Sequence, residues 1–418
     1  MHPDGADPPD MVLDAAVLLH VNGQSTGMTL AAVDRLNRGL ATTCTLIPQW
    51  ASLLLVGRGE AMRAAAVSPT GVNMRRVAAA MTVIDRAQDG PLEPGATTRR
   101  ELTAAQRESV SGTAAFSAAC GTGAGALAVI FGAHGALTVL IVAASAALGG
   151  LVRRGLAGLG GGVLTQAFGA ALIAGLLGVA AHHLHVDGAL GLVVLCPAMV
   201  LVPGPHILNG ALDLLALRVT LGIARLGYAA LILLAIAAGL ILGLAVGGLD
   251  ISVAQPSATV PWFADVIAAG IAAGSYPVFF SMPYRMIVWP VGIGMLAHAV
   301  HWLAVEVGHV GIAAAALVSC LMVGVLLVPV SHCLRIPFAA VGFASVVAMV
   351  PGVYVFRMLS GLVEFAGLPT SGLLTSIASD GTVAALVIAG MATGLAVPMH
   401  AYAVLSGRAG SRRGVGGT

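Results

Sequence analysis

From Ser111 onward the chain runs through one long apolar stretch after another, separated only by short polar breaks. Each stretch is long enough to cross a hydrocarbon core of about 30 Å, which takes roughly 20 helical residues. Ten are predicted, near 112–131, 135–152, 160–181, 188–203, 227–247, 262–280, 285–304, 310–330, 337–356 and 382–403. Lipid offers no partner to a backbone amide, so segments of this kind are confined to helices. The expected fold is therefore an α-helical polytopic membrane protein. Composition agrees: 58% of residues are hydrophobic and 9% charged, where a soluble domain has about 25% charged.

The charges that do exist lie mainly ahead of those stretches. Ten of the 20 Arg and 11 of the 18 acidic residues precede Ser111. Residues 11–110 read as a small α+β domain: "MVLDAAVLLHVNG", "MTLAAVDRLNRGL" and "GVNMRRVAAAMTVIDRAQDG" have helical patterning, and "TCTLIPQWASLLLV" reads as strands. Residues 1–10, acidic and Pro-rich, are expected to be a disordered N-terminus and lack the basic start of a signal peptide. The charges of this domain nearly cancel, which excludes nucleic acid as a partner. There is no Lys anywhere, so Schiff-base chemistry and a Walker phosphate loop are excluded and energy must come from a gradient or a partner. The five Cys form no C-x-x-C pair, and no cofactor or zinc site is expected.

With residues 11–110 taken as cytoplasmic, nine of the ten later Arg fall in inside loops or the tail: Arg153, Arg154, Arg218, Arg225, Arg285, Arg335, Arg408, Arg412 and Arg413. That asymmetry puts both termini in the cytoplasm. The spans divide into residues 111–248 and 261–404, with an external linker at 249–260 and a tail at 405–418. Each half breaks after its fourth span, at Pro203-Gly204-Pro205 and at Pro351-Gly352. Five is odd, so the second half enters the membrane inverted, the arrangement of transporters whose broken helices meet near the midplane.

Pro205 suits the first turn of a new helix, on which His206, Asn209 and Asp213 share a face. Bare N–H groups at that helix start would favour a carboxylate, and Asp213 an ammonium group or a proton. The competing reading is an amphipathic surface helix with Asp213 wet and Arg218 and Arg225 snorkelling. Tyr354 and Arg357 hold the corresponding places in the second half; Arg357 suits a substrate carboxylate or, otherwise, pairs with Glu364 in a loop. Asp265 is a candidate intramembrane acid for proton coupling alongside Asp213, or a solvated residue at a span end. His298 and His301, with Glu306 and His309 beyond, suggest a proton relay or interfacial caps. "HHLHVDG", with His182, His183, His185 and Asp187, reads as an external loop more readily than as a metal site.

Two motifs mislead. Gly121, Gly123 and Ala126 fit a dinucleotide fingerprint but lie inside a span, where close helix packing explains them, as it does Gly239, Gly243, Gly247, Gly270 and Gly274. "GQSTG" around Ser25 matches a nucleophile elbow without the strand that must precede one.

The soluble "LLHVNGQSTGMTLAAVDRLNRGL" and "SPTGVNMRRVAAAMTVIDRAQDG", followed by five spans whose fourth ends in "VPGPHILNGALDL" and five whose fourth ends in "MVPGVYVFR", resemble the threonine/serine exporter (ThrE) family over nearly the whole chain. Ser25 departs from the acidic residue often found there, which weakens a catalytic role for the soluble domain. The resemblance implies proton-driven export of threonine and serine across a bacterial cytoplasmic (inner) membrane, with no enzymatic activity. Relatives split into two subunits are associated with dicarboxylate export, so succinate stays open as a substrate, as do a membrane-anchored hydrolase and an uncoupled channel. The partners expected are small-molecule substrate, protons and lipid, and the oligomeric state, including a homo-oligomer, is undecided. In this reading Pro203, Gly204, Pro205, Pro351 and Gly352 break the helices, His206, Asn209, Asp213, Tyr354 and Arg357 bind substrate, and Asp213 or Asp265 carries the proton.

Overall fold

The computed structural model describes residues 7–57, 62–88, 90–92, 96–133, 135–184, 190–249, 260–334, 338–367 and 369–415. Most of the expected external linker, and with it residues 1–6, His185, Asp187 and Arg335, lies outside them.

The residues before Ser111 build a small α/β unit. Helix α1 (Pro8–Val21) starts with Pro in its first turn, where a missing N–H costs nothing. It buries Val12, Ala16 and Leu19 against α2 (Thr26–Gly39) and α3 (Met74–Asp85). Asn73 caps α3: its Oδ1 accepts from the backbone N–H groups of Arg75 and Arg76. A salt bridge from Arg35 to Asp85, 2.7 Å, ties α2 to α3. Strands β1 (Thr45–Pro48), β2 (Ser52–Val56) and β3 (Met62–Ala66) form an antiparallel meander in that order. β2 alternates, with Leu53 and Leu55 facing the core. β3 was not expected, because "MRAAA" has little strand preference; pairing to β2 supplies what propensity lacks. Helix α4 (Ala96–Gln106) packs on α3 and leads to the first span.

The remaining helices are α5 (Thr113–Ile130), α6 (Ala136–Gly158), α7 (Val163–His183), α8 (Leu190–Leu201), α9 (Gly204–Leu215), α10 (Val219–Ala245), α11 (Trp262–Phe279), α12 (Val288–Trp302), α13 (Ile312–Leu334), α14 (Phe338–Val346), α15 (Gly352–Gly367) and α16 (Ser371–Val415). Among the described residues eight helical segments are long and apolar enough to cross a membrane. The count rises to ten when each of two bent pairs is taken as one span. The protein is a polytopic α-helical membrane protein. The bent pairs are α8 with α9, at 58°, and α14 with α15, at 57°. Both breaks sit at the Pro-Gly steps, where a Pro without an N–H cannot continue the hydrogen-bond ladder. The fourth and ninth spans therefore run beyond the expected ends, each through a second arm.

Small residues set the helix spacing. A Cβ on Gly243 would lie 2.6 Å from the Leu172 carbonyl oxygen, and one on Gly394 2.6 Å from that of Leu317. The backbones of α7 and α10, and of α13 and α16, are thus in direct contact. The two breaks also meet: a Cβ on Gly352 would stand 3.0 Å from Met199 Cγ, four residues before Pro203.

Candidate functional site: a buried charge cluster on the broken helix

Helix α9 is folded into the protein and is not a surface helix. His206, Asn209 and Asp213 share one face as their spacing requires, and all three are buried. The helix start differs from expectation. Gly204 N–H donates to the Val202 carbonyl, Pro205 has none to offer, and His206 and Ile207 donate to the Pro203 carbonyl. These first donors are satisfied by the turn itself, so no row of bare N–H groups faces a ligand there.

What the face does hold is charge. Asp213 Oδ2 lies 3.0 Å from Arg225 Nε and Oδ1 lies 3.3 Å from an Arg218 terminal nitrogen. Arg225, on α10, is 1% exposed. It does not snorkel; the carboxylate that neutralises it holds it inside. The third partner comes from the α/β unit: Thr26 Oγ1 donates to Asp213 Oδ2 at 2.9 Å and accepts from Arg225 at 3.4 Å. One turn earlier Asn209 Nδ2 donates to the Gly23 carbonyl, 3.3 Å, and His206 packs edge-on against Trp50 and Tyr228. The unit has a second foothold after α11, where Arg75 N–H donates to the carbonyl of Ser281 and Met74 N–H to that of Phe280.

Two cavities flank this cluster. One of about 930 Å³ lies between the α/β unit and the bundle, walled by Thr26, Asp34, Arg35, Arg38, Asp213 and Arg218. A smaller one of about 210 Å³ reaches the break itself, beside Pro203, His206, Gln166, Arg153 and Arg154. Arg153 and Arg154 stack over Phe279 and Phe116.

In the second set of spans Arg357 pairs with Asp380 of α16, Nε to Oδ2 3.1 Å, and not with Glu364, which is exposed. Tyr354 is half-buried on the same helix. Asp265 is buried and accepts or shares a proton with His298, Oδ2 to Nδ1 3.0 Å, and the His301 ring follows at 6.0 Å between centroids. The solvated reading of Asp265 is thereby overturned. Glu306 and His309 are exposed and do not extend this line.

These features can be set beside known families. Residues 10–247 match the profile of a threonine/serine exporter. Residues 265–401 match a second profile, described as Threonine/Serine exporter, ThrE. The chain belongs to the threonine/serine exporter family. No solved structure matches it. A threonine/serine exporter is a membrane transporter and not an enzyme, and Ser25 fits that: it is the N-cap of α2, preceded by helix and turn, with none of the strand an elbow requires.

The exporter's spacing of polar residues marked α9, Arg357 and Asp265 in advance. It missed Thr26, which lies far along the chain from Asp213, took Arg225 for a snorkelling residue, and left Asp380 just ahead of the tenth span. Of the histidines in the His-rich segment only His182 and His183 are described, both exposed, and no group of three metal-ligating side chains occurs among the described residues.

Proposed function

We propose that this exporter carries threonine and serine out of the cytoplasm in exchange for protons, by alternating access of two inverted five-span halves. The observation that carries the reading is Asp213, Arg218 and Thr26, backed by the buried Arg225, in the wall of a cavity bearing both signs of charge. A zwitterion needs an acid for its ammonium group and a base for its carboxylate, and Asp34, Arg35, Arg38, Asp213 and Arg218 supply both. The α/β unit would lie on the cytoplasmic side, making this cavity the loading side of an exporter of the bacterial inner membrane. Tyr354 and Arg357 would complete the path beyond the crossing of the breaks.

The inverted arrangement draws support from pairing. The third and fifth spans of each half, α7 with α10 and α13 with α16, are the pairs in glycine-mediated backbone contact, and the two bends are nearly equal. Proton coupling draws support from Asp265 with His298 and Asp380 with Arg357, acids held inside the spans with a basic partner each. In this scheme Asp265 with His298 takes up the proton, and Asp213 answers to substrate.

The test is efflux of radiolabelled threonine from preloaded proteoliposomes with and without an imposed proton gradient. Efflux that the gradient accelerates, and that Asp265→Asn uncouples from it, is expected. Threonine efflux indifferent to the gradient would sink the antiport. One observation favours a second reading, export of a dicarboxylate such as succinate. Arg153 and Arg154 line the smaller cavity with no acidic partner among the described residues. Succinate in place of threonine in the same assay decides between them.

A further inference from the structure

The contact between Thr26 and α9 has a chemical peculiarity. Its hydroxyl donates to a buried carboxylate, Asp213 Oδ2, and accepts from a buried guanidinium, Arg225. Among neutral side-chain groups a hydroxyl does both through one atom; an ammonium only donates, a carbonyl only accepts, and a methyl does neither. The position is therefore a hydroxyl site, and the side chain that fills it is a threonine.

We infer that Asp213 and Arg225 form the subsite that recognises the hydroxyl of the exported amino acid, and that Thr26 is a built-in ligand that occupies it until substrate arrives. The inference rests on the proposed export of hydroxy amino acids through the cavity beside α9. Thr26 and Asp213 both stand in the wall of that cavity, with Arg225 buried behind them, so an incoming molecule meets the subsite where Thr26 covers it. Thr26 opens α2 after a turn at Gly23, φ +93°, and beside it the buried Ser25 Oγ and Gln24 Nε2 have no hydrogen-bond partner among the described residues. Gly23 fills a second polar position with its carbonyl, which Asn209 would otherwise offer to substrate. When the hydroxyl of substrate replaces that of Thr26, donor and acceptor are exchanged one for one and neither buried charge is left bare. An amino acid without a hydroxyl makes no such exchange, and a site of this kind discriminates strongly against it. Selection of threonine and serine over their deoxy counterparts would then follow from one carboxylate oxygen and one guanidinium.

The test compares threonine with L-2-aminobutyrate, which lacks only the hydroxyl, in proteoliposome counterflow. Thr26→Val keeps the shape and removes the competitor. The apparent KM for threonine should fall several-fold while that for 2-aminobutyrate stays where it was, and Thr26→Ser should restore the wild-type ratio. Equal movement of both constants, or none, overturns the inference. Wild-type protein that moves neither compound instead overturns the export reading on which it rests. A second measurement does not depend on the valine variant folding. Thr26→Cys is treated with a membrane-impermeant maleimide, with wild-type protein as background. Threonine should speed labelling several-fold and 2-aminobutyrate should not. Protection by threonine, or the same rate with both, would count against displacement.

Discussion

At the scale of single residues the protein is organised by buried charges with named partners. Removing one member of such a set leaves the others bare, at a cost of roughly 3–5 kcal/mol. Asp213→Asn leaves Arg225 and Arg218 facing each other without a carboxylate. We expect threonine efflux to fall at least 10-fold, with a lower melting temperature, and efflux plus thermal unfolding in detergent checks both. His20 provides a pH-dependent counterpart in the α/β unit. Burial first, and the Arg225 charge second, push its imidazole down to about 4 from 6.5. A His that is neutral when folded and charged when unfolded supports the fold fully above pH 6.5. That support is lost as pH falls toward 4, by about 1.4 kcal/mol per pH unit at most. Thermal unfolding between pH 7.5 and 4.5 should show this acid limb, and His20→Asn, which takes up no proton, should flatten it.

At the scale of elements, the helices were largely legible and their ends were not. Apolar length announces a span because lipid enforces it, and the Pro-Gly steps announced the breaks for the same reason. A helix after the first step was legible from Pro205, but that it is buried was hidden, since a second arm of mixed polarity looks like a surface helix until its partners are known. Asp213 reads as wet or buried depending on Thr26 and Arg225, which lie 187 positions before it on the one side and on the next helix on the other. β3 escaped because its residues do not prefer strands. Glycine patterns read well, because close approach of two backbones tolerates no Cβ. Gly243→Val and Gly394→Val should each separate a helix pair, lowering the melting temperature by several degrees, while Gly227→Ala, where a Cβ meets nothing within 4 Å, should be neutral. Parallel melting curves of the three variants decide it.

At the scale of the whole molecule the sequence implied two faces, one bearing the α/β unit and one bearing the loop between α15 and α16. Cysteines placed at Ser68 and at Ser371, both exposed, should react with an impermeant maleimide from opposite sides of sealed vesicles. Of the five native Cys, Cys44, Cys120, Cys196 and Cys320 are buried, and placing the new cysteines on a Cys333→Ser background removes the fifth. Labelling of both from one side would refute the odd number of crossings per half. What the sequence could not convey is that the α/β unit grips the bundle, since a docking surface has no periodicity to read.

That grip has two footholds, and they stand on different parts of the bundle. Gly23 and Thr26 hold α9, within the first five spans, while Met74 and Arg75 hold the turn after α11, within the second five. The unit is a strap riveted at both ends across a seam. Any rocking of one set of spans against the other must pull out at least one rivet, at about 1 kcal/mol for each neutral hydrogen bond and more where a charge is involved. The strap would thus set a minimum load for each stroke, and a molecule wedged against either rivet would jam the machine from outside the membrane.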